Sequence, residues 1–328
     1  MRKLKREIKF LKIFEGVDLS KRRTPLMILK SPKSGPVIWL CGAIHGDEVT
    51  GIEVIHRVFD FLEAGSLTRG SVYAIPVMNP LGFEMISRDN PYDEEDLNRQ
   101  FIGNPRGSTA ERMAALIYST IAKTKPDFVL DLHTDSSLSV AYTIVDKLKK
   151  PKDDAILKKT VAITEKLGLP WAYDYEDHAG YPLEKSLSGA LVTNGIPAVT
   201  VELGGPYVIN PFFVEKGVLI VRYLLSHFNM VRYSVLPVSP FFRPHTLRKP
   251  LRFFEEVRSE KSGIVNYRVT PGQVVRKGQM IAKIKNALGR TVETIKSPQR
   301  GLVLSLSDQS VSFPGSNLIT LAVEDRMK

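Results

Sequence analysis

A strand pattern that runs directly into a helix pattern constrains the fold of this chain more than any other stretch. Residues 36–43 form an apolar, strand-like run, and residues 49–61 carry apolar side chains at helical spacing. The glycine-flanked turn between them contains His45 and Glu48. Glycine lets a backbone turn tightly and approach a bound ion or substrate closely. This order predicts an α/β unit that presents an imidazole and a carboxylate at the end of a strand.

The same alternation of strand and helix patterns recurs up to about residue 232. Strand patterns lie at 71–77, 128–132 and 198–203, and helix patterns lie at 108–122, 151–167, 184–193 and 211–228. Such alternation favours an α/β fold with a mixed, largely parallel sheet flanked by helices. In sheets of this kind, ligands bind beyond the carboxyl ends of the strands. His133 and Glu202 stand at two of these strand ends, so the sequence predicts that both lie close to His45.

The composition changes after about residue 232, which predicts a catalytic α/β domain at residues 1–232 and a β-rich domain at residues 233–328. The second part has short β runs between Pro-Gly and Lys-Gly turns, with a weak internal repeat. It resembles the barrel-sandwich fold of biotinyl and lipoyl carriers. Those carriers present a modifiable lysine on a hairpin tip, whereas the corresponding hairpin at residues 286–290 has none. We therefore expect an unmodified structural or gating module that roofs the pocket and favours small substrates.

Composition and charge narrow the classes of function. The chain has no run of about 18 apolar residues, and its basic N-terminus lacks the apolar core of a signal peptide. Cys41 is the only cysteine, which excludes an internal disulfide and suits a reducing cytoplasm. The net charge of +11 indicates anionic partners. Because no nucleic-acid-binding motif is present, we expect a small carboxylated substrate and neither nucleic acid nor membrane as partner. The sequence leaves open whether the chain forms a homo-oligomer.

Three residues at predicted strand ends have the chemistry of a zinc site. An isolated His-x-x-Glu pair such as His45 and Glu48 is more typical of a solvated loop, but His133 adds a second imidazole. Two histidines and one carboxylate leave a fourth tetrahedral position for water, which is the layout of catalytic rather than structural zinc. The sequence therefore predicts one Zn²⁺ per chain. Cobalt or manganese are alternatives in a site of this type.

Glu202 and a polar loop supply the other residues that hydrolysis needs. Glu202 interrupts a β-branched run that ends in Gly-Gly, where burial of an unpaired carboxylate is costly. A general base would occupy such a place; a strand-end carboxylate paired with lysine is the alternative. Arg99 can bind a carboxylate through two parallel hydrogen bonds, and Asn98 can add a donor. Arg88 could polarise the scissile carbonyl, although from spacing alone both arginines are more typical of surface residues.

Four motifs occur in the order found in the succinylglutamate desuccinylase/aspartoacylase family, which is related to the zinc carboxypeptidases. The chain resembles that family at 42–48 (GAIHGDE), 96–101 (DLNRQF), 131–134 (DLHT) and 201–205 (VELGG). The resemblance extends over about residues 25–230, and the terminal β-domain also resembles the family's layout. It implies the same zinc ligands, the same general base and the same carboxylate clamp. Arg88 matches the arginine that precedes the family's Asp-Leu-Asn-Arg motif and would bind the carbonyl oxygen.

The chain departs from the family at one substrate-binding position. Aspartoacylases carry an arginine shortly before the catalytic glutamate, but no arginine occurs here between Arg112 and Arg222. Lys185 is a candidate replacement, although an ammonium binds a carboxylate less well than a guanidinium fork. N-acetylaspartate and succinylglutamate are therefore not favoured as specific substrates. The aromatic and acidic stretch 173–181, which contains His178, either lines the pocket and favours a cationic or polar group or forms a surface loop.

Taken together, these residues predict a zinc-dependent amidohydrolase that removes an acyl group from an N-acyl amino acid or related amine. A zinc carboxypeptidase acting on small peptides is the alternative enzyme, because both would use the same metal chemistry and differ in pocket size. A non-catalytic binding module would be indicated by a missing ligand, base or clamp, and the sequence lacks none of them. Nucleic-acid binding rests on net charge alone.

Overall fold

The computed structural model describes residues 4–148, 154–175, 181–232, 247 and 250–325. Within these residues, the catalytic part contains β1 Lys5–Glu15, β2 Lys21–Lys30, β3 Val37–Gly42, β4 Ser71–Ile75, β5 Phe128–His133, β6 Tyr142–Lys147, β7 Trp171–Tyr175 and β8 Ala198–Glu202. Its helices are α1 Thr50–Phe61, α2 Pro80–Met85, α3 Thr109–Ala122, α4 Asp154–Thr164, α5 Leu187–Thr193 and α6 Pro211–His227. The C-terminal strands are β9 Leu251–Arg258, β10 Gly263–Tyr267, β11 Val274–Val275, β12 Met280–Lys285, β13 Thr291–Lys296, β14 Gly301–Leu306, β15 Val311–Ser312 and β16 Asn317–Glu324.

The predicted mixed sheet with flanking helices is confirmed. The strand order through the catalytic part is β1-β2-β4-β3-β5-β8-β6-β7. Its centre is parallel, because β3 pairs in parallel with both β4 and β5, and β5 pairs in parallel with β8. β6 runs antiparallel to β8 and parallel to β7. The carboxyl ends of β3, β5 and β8 therefore meet at one edge of the sheet.

Helices cover both faces of the central strands. On one face, α1 and α6 pack in a core cluster with β5 and β8; on the other, α3 and α5 pack against β3 and β5. Every residue of β5 and β8 is buried, which explains why their sequences are mostly apolar and do not alternate between apolar and polar residues. α3 begins with the predicted capping box, in which Ser108 and Glu111 satisfy each other's backbone N–H groups. The helices therefore hold the central strands, and their ends, in fixed positions.

β6 and β7 were not predicted from the sequence. Each is short and ends in polar residues, Asp146-Lys147 in β6 and Asp174-Tyr175 in β7, so neither resembles a buried apolar strand along its whole length. The structure nevertheless adds both to the sheet beyond β8. This difference extends the predicted sheet edge and brings two further carboxylates towards the strand-end site.

The C-terminal region is all-β and is hydrogen-bonded to the catalytic sheet. β9 lies next to β7 and continues through β16, β14 and β11, while β13-β12-β10-β15 form a second sheet. The region has its own core cluster between Phe254 and Val323. A smaller apolar cluster joins Tyr142 and Ala172 of the catalytic part to Leu302 of the terminal part. The predicted boundary after residue 232 lies next to residues outside the described part, so the two-domain division stays a prediction.

In the part of the chain that the structure describes, no helix has the length and apolar character needed to cross a membrane.

Candidate metal centre and active site

His45, Glu48 and His133 converge at the predicted sheet edge. His133 is the last residue of β5, and His45 and Glu48 lie in the turn between β3 and α1. All three side chains are buried, and one ligand atom from each lies within 4.8 Å of the others. The parallel register of β3 and β5 places the two strand ends side by side, which is why residues distant in sequence meet here.

A glycine makes the tight course of this turn possible. A Cβ atom at Gly46 would lie 1.9 Å from the carbonyl carbon of Gly82 in α2. The Gly46 N–H also donates to the Ser87 carbonyl over 2.9 Å. The turn is therefore packed against the α2 segment, and a side chain at this position would displace it.

The Glu48 carboxylate lies between the two histidines. Its Oε1 is 2.6 Å from His45 Nδ1, and its Oε2 is 3.0 Å from His133 Nδ1. The Thr134 N–H donates to the same Oε2 over 3.1 Å. The Glu48 carboxylate and the Nδ1 atoms of His45 and His133 therefore lie close together, as the donor atoms of one metal ion would.

The other nitrogen of each imidazole faces a second carboxylate. His133 Nε2 lies 2.9 Å from Asp131 Oδ2, and His45 Nε2 lies 3.2 Å from Asp96 Oδ1. Carboxylates in these positions fix the orientation of metal-binding histidines and increase their basicity. The arrangement leaves Nδ1 of each ring as the atom directed towards the Glu48 side of the cluster.

The electrostatics of the cluster favour a bound positive charge. Burial alone would raise the pKa of Glu48, but the charges of His45 and His133 hold it well below its usual range. Burial alone would lower the pKa of His133, but Asp131 and Glu48 outweigh it and raise this pKa well above its usual value. A divalent cation can replace the proton that this cluster retains. The nitrogen and oxygen donors and their supporting carboxylates therefore fit a metal ion.

Asp131→Asn is expected to lower metal affinity about 10–100-fold, because an amide supports His133 less strongly than a carboxylate. Competition with a chelating dye measures this affinity directly. Asp60→Asn, an exposed change of the same type on α1, serves as the control. Equal affinities of wild type and Asp131→Asn would contradict the supporting role of Asp131.

Glu202 lies beside this cluster as the last residue of β8. It is the direct Cα partner of His133 in the pairing of β5 with β8. The side chain is buried, and its Oε2 atom has no hydrogen-bond partner in the described part of the chain. Burial raises the pKa of Glu202 well above its usual value, although His133 opposes the effect. No lysine pairs with Glu202 among the described residues, so the alternative of a strand-end ion pair has no support.

A cavity of about 430 Å³ opens onto this cluster. The catalytic part and β9 both line it, with Phe253 and Glu255 contributing from β9. A volume in this range suits a small ligand rather than a long peptide. Since β9 belongs to the C-terminal region, that region forms part of the cavity wall.

Arg88, Asn98 and Arg99 all line the cavity. Asn98 Oδ1 accepts from the Leu187 N–H over 2.8 Å, so the amide NH₂ is the group that Asn98 can offer to a ligand. The Arg99 guanidinium carbon lies 3.6 Å from the centre of the Tyr181 ring. An arginine stacked in this way presents its hydrogen-bond donors in a fixed plane.

Arg88 contacts the carboxylates around the metal cluster. Its Nη2 donates to Asp96 Oδ2 over 3.0 Å, and its Nη1 lies 3.7 Å from Glu48 Oε1. Asp96 therefore contacts both Arg88 and His45. Sequence reasoning did not single out Asp96, because a carboxylate inside a polar loop has no pattern that separates it from surface residues.

Of the two remaining predicted substrate residues, Lys185 does not join this group. The Lys185 side chain is exposed and does not line the cavity, and the backbone carbonyl of this residue accepts from the Phe101 N–H. His178 lies outside the described residues. The structure instead adds Asp146, Asp174 and Tyr181 to the cavity wall. Asp146 could have been recognised, since it ends a β-branched run, Thr-Ile-Val, as Glu202 does.

The fold is that of the zinc carboxypeptidase-like class. Residues 34–228 match the Succinylglutamate desuccinylase/Aspartoacylase catalytic domain. The chain belongs to this family, which confirms the resemblance recognised in the four sequence motifs.

Individual relatives agree with this assignment. The N-alpha-acetyl-L-2,4-diaminobutyric acid deacetylase of Halomonas elongata is 27% identical over 269 residues, covering 79% of this chain and 73% of that protein. A succinylglutamate desuccinylase/aspartoacylase structure from Rhodobacter sphaeroides has a TM-score of 0.81 at 19% identity and covers 99% of this chain and 97% of that chain. A metallo-carboxypeptidase from Burkholderia cenocepacia has a TM-score of 0.56 at 15% identity, with 68% of this chain and 65% of that chain covered. Both structural likenesses show a shared fold.

Proposed function

We propose that the protein is a zinc-dependent deacylase that hydrolyses the amide bond of a small N-acyl amino acid. The observation that carries this proposal is the unpaired Glu202 Oε2, buried beside the His45-Glu48-His133 cluster in a cavity that Arg99 also lines. A deacetylase among the relatives supports the same type of reaction.

His45, Glu48 and His133 would hold the zinc ion. When bound, zinc would supply a Lewis acid that polarises the acyl carbonyl and lowers the pKa of the attacking water. Two imidazoles and one carboxylate are a common ligand set for catalytic zinc. Asp131 and Asp96 would keep the imidazole rings in orientation.

Glu202 would act as the general base and then as the general acid. Its free Oε2 can accept the proton of the attacking water and later deliver it to the leaving nitrogen. Both transfers need a carboxyl group that changes protonation state near neutral pH. Burial raises the pKa of Glu202, which brings it towards that range.

Arg99 and Asn98 would bind the substrate carboxylate. The Arg99 guanidinium can make two parallel hydrogen bonds, and its stacking on Tyr181 would limit its freedom before binding. Arg88 would donate to the acyl carbonyl oxygen and stabilise the negative charge that develops there. Arg88 donates a hydrogen bond to Asp96, and this bond would hold the Arg88 guanidinium close to the acyl carbonyl of the substrate.

Arg99→Lys is expected to raise the KM for a carboxylated substrate by about 10–100-fold, with a smaller change in kcat. An ammonium replaces the planar fork and loses the second parallel hydrogen bond. Steady-state kinetics on an N-acetyl amino acid and on its C-terminal amide measure the effect. Equal losses on both substrates would show that Arg99 does not recognise the carboxylate.

A carboxypeptidase acting on small peptides is the second candidate, because the fold is shared with a metallo-carboxypeptidase. The limited cavity volume and the wall supplied by β9 favour the smaller N-acyl amino acids. A panel of N-acetyl amino acids, N-succinyl amino acids and dipeptides tests the choice by amine release. Chelator-sensitive release from one acyl class would support the deacylase, whereas release from dipeptides alone would favour the carboxypeptidase. A zinc-loaded protein that releases amine from none of these compounds would overturn the proposal.

A further inference from the structure

Two buried carboxylates lie side by side in the cavity wall and take no part in the reaction proposed above. Asp146 in β6 and Asp174 in β7 are direct Cα partners in the parallel pairing of these strands. Their side chains are 5% and 9% exposed, and both line the same cavity as Glu202. Because they occupy equivalent positions on neighbouring strands, both present their carboxylates to that cavity.

Neither carboxylate has an ion-pair partner within the described part of the chain. Asp146 Oδ2 is buried without a hydrogen-bond partner, and no lysine or arginine among the described residues forms an ion pair with Asp146 or Asp174. A hydrogen bond from the Ser188 hydroxyl offsets part of the cost of burying the Asp146 carboxylate, and a hydrogen bond from the Tyr175 backbone does the same for Asp174. Burial of a charged group without a partner is costly, so packing does not explain two of them together.

The charges that face this pair come from four neighbouring side chains. The charges of Arg99 and His133 stabilise the ionised form of Asp146, whereas the charge of Asp131 destabilises it. The ionised form of Asp174 is likewise stabilised by the charge of Arg99 and destabilised by that of Glu255. Arg99 itself is stacked on Tyr181 and lies closest to a different carboxylate, Asp96, at 3.9 Å. The pair therefore retains capacity for a further cation.

We propose that Asp146 and Asp174 form a subsite for a positively charged group of the substrate. The substrate class is then an N-acyl amino acid with a second, protonated amino group in its side chain. Arg99 would bind the carboxylate of such a molecule and the aspartate pair its ammonium group. This assignment rests on the proposed deacylase function and names the amine half of its substrate.

A matched pair of substrates tests the assignment. N-acetyl-2,4-diaminobutyrate carries a side-chain ammonium, and N-acetylnorvaline replaces that ammonium with a methyl group of similar size. Wild type is expected to hydrolyse the cationic compound with a kcat/KM about 30-fold or more above that of the neutral one. Asp146→Asn and Asp174→Asn should each remove most of this preference while changing kcat/KM for the neutral compound by no more than about threefold.

Glu84→Gln is the control, because it removes one negative charge from an exposed residue that does not line the cavity. It should leave the preference unchanged. If either aspartate variant lowered both substrates equally, the pair would position Arg99 or support the fold, and the subsite would be refuted. Asp146→Asn should also unfold at the same or a higher temperature than wild type, since it removes an unpaired buried charge.

Binding of the free amines separates this subsite from the deacylase function. Calorimetric titration with 2,4-diaminobutyrate and with norvaline needs no turnover. Tighter binding of the diamino acid without hydrolysis would uphold the subsite and reject the deacylase function. Hydrolysis of both N-acetyl compounds with equal efficiency, together with equal binding of both amines, would uphold the deacylase function and reject the subsite.

The preference should also depend on pH. Burial and the neighbouring acidic groups raise the pKa of Asp146 to about 6 and that of Asp174 to about 7. Above pH 7 both are ionised and attract an ammonium; as the pH falls through 7 and then 6, they become neutral and the attraction is lost. KM for the cationic substrate should therefore rise at low pH more than KM for the neutral one. Parallel pH profiles would contradict the assignment.

Discussion

Replacement of Glu202 by glutamine is expected to lower kcat about 10²–10⁴-fold while leaving the zinc content unchanged. Glutamine has the same shape but cannot accept the proton of the attacking water. The substitution should not weaken the fold, because the site already favours a neutral group: burial raises the pKa of Glu202 well above its usual value. The variant is expected to unfold no earlier than wild type.

Elemental analysis and single-turnover kinetics on the same preparation check both parts of this expectation. Glu53→Gln, a change of the same type on the exposed side of α1, provides the control for handling and folding. A Glu202→Gln protein with full turnover would remove Glu202 from the mechanism. A protein that lost its zinc as well would show that Glu202 supports the metal rather than the proton transfer.

His133→Ala is expected to have the second large effect, with loss of nearly all bound zinc and of measurable hydrolysis. It removes one of the three proposed ligands and leaves Asp131, which is fully buried, without its imidazole partner. An uncompensated buried charge of this kind costs about 3–5 kcal/mol of folding free energy. The metal-free variant should therefore also unfold at lower denaturant concentration than metal-free wild type.

Urea titration of the two chelator-treated proteins measures this difference, and added zinc then tests the ligand role separately. Zinc should raise the midpoint of wild type and leave that of His133→Ala almost unchanged, because only a ligand that binds the folded state stabilises it. His227→Ala, near the end of α6 and away from the cluster, is the matched control. Equal zinc stabilisation of both proteins would contradict the assignment of His133 as a ligand.

The central part of the fold could be predicted because its strands are buried on both faces. Runs rich in apolar residues at 37–43, 128–132 and 198–203 predict such strands, and their parallel pairing brings the strand ends together. The convergence of His45, Glu48 and His133 follows from that rule alone. Ligand chemistry and topology were therefore sufficient to predict which residues meet.

Contacts made by loops and short strands could not be predicted in the same way. Asp96 reaches both His45 and Arg88 because its loop folds over the cluster, and no periodic pattern records such a path. β6 and β7 were missed because their polar ends weaken the strand signal. Asp146 and Asp174 lie at those polar ends. The same residues that weaken the strand pattern therefore line the cavity. Departures from a strand pattern can thus indicate a site.

The C-terminal region illustrates a further limit. Its turns and short runs predicted an all-β region, and the structure confirms that class. Sequence patterns did not show that β9 would continue the catalytic sheet beside β7 and contribute to the cavity wall. Non-local pairing of this kind depends on how two regions pack, which local propensity does not encode. The cavity wall, on which the proposed preference for small substrates depends, is therefore built by both regions together.

Stepwise return of zinc to the chelator-treated protein shows whether hydrolysis depends on a metal ion. Amine release from N-acetyl-2,4-diaminobutyrate and from N-acetylnorvaline would be followed as zinc is added. We expect release to be negligible without zinc, to rise in proportion to bound zinc, and to reach its limit at about one zinc per chain. Hydrolysis that is unaffected by chelation, or a protein that does not retain zinc at the His45-Glu48-His133 cluster, would contradict this expectation.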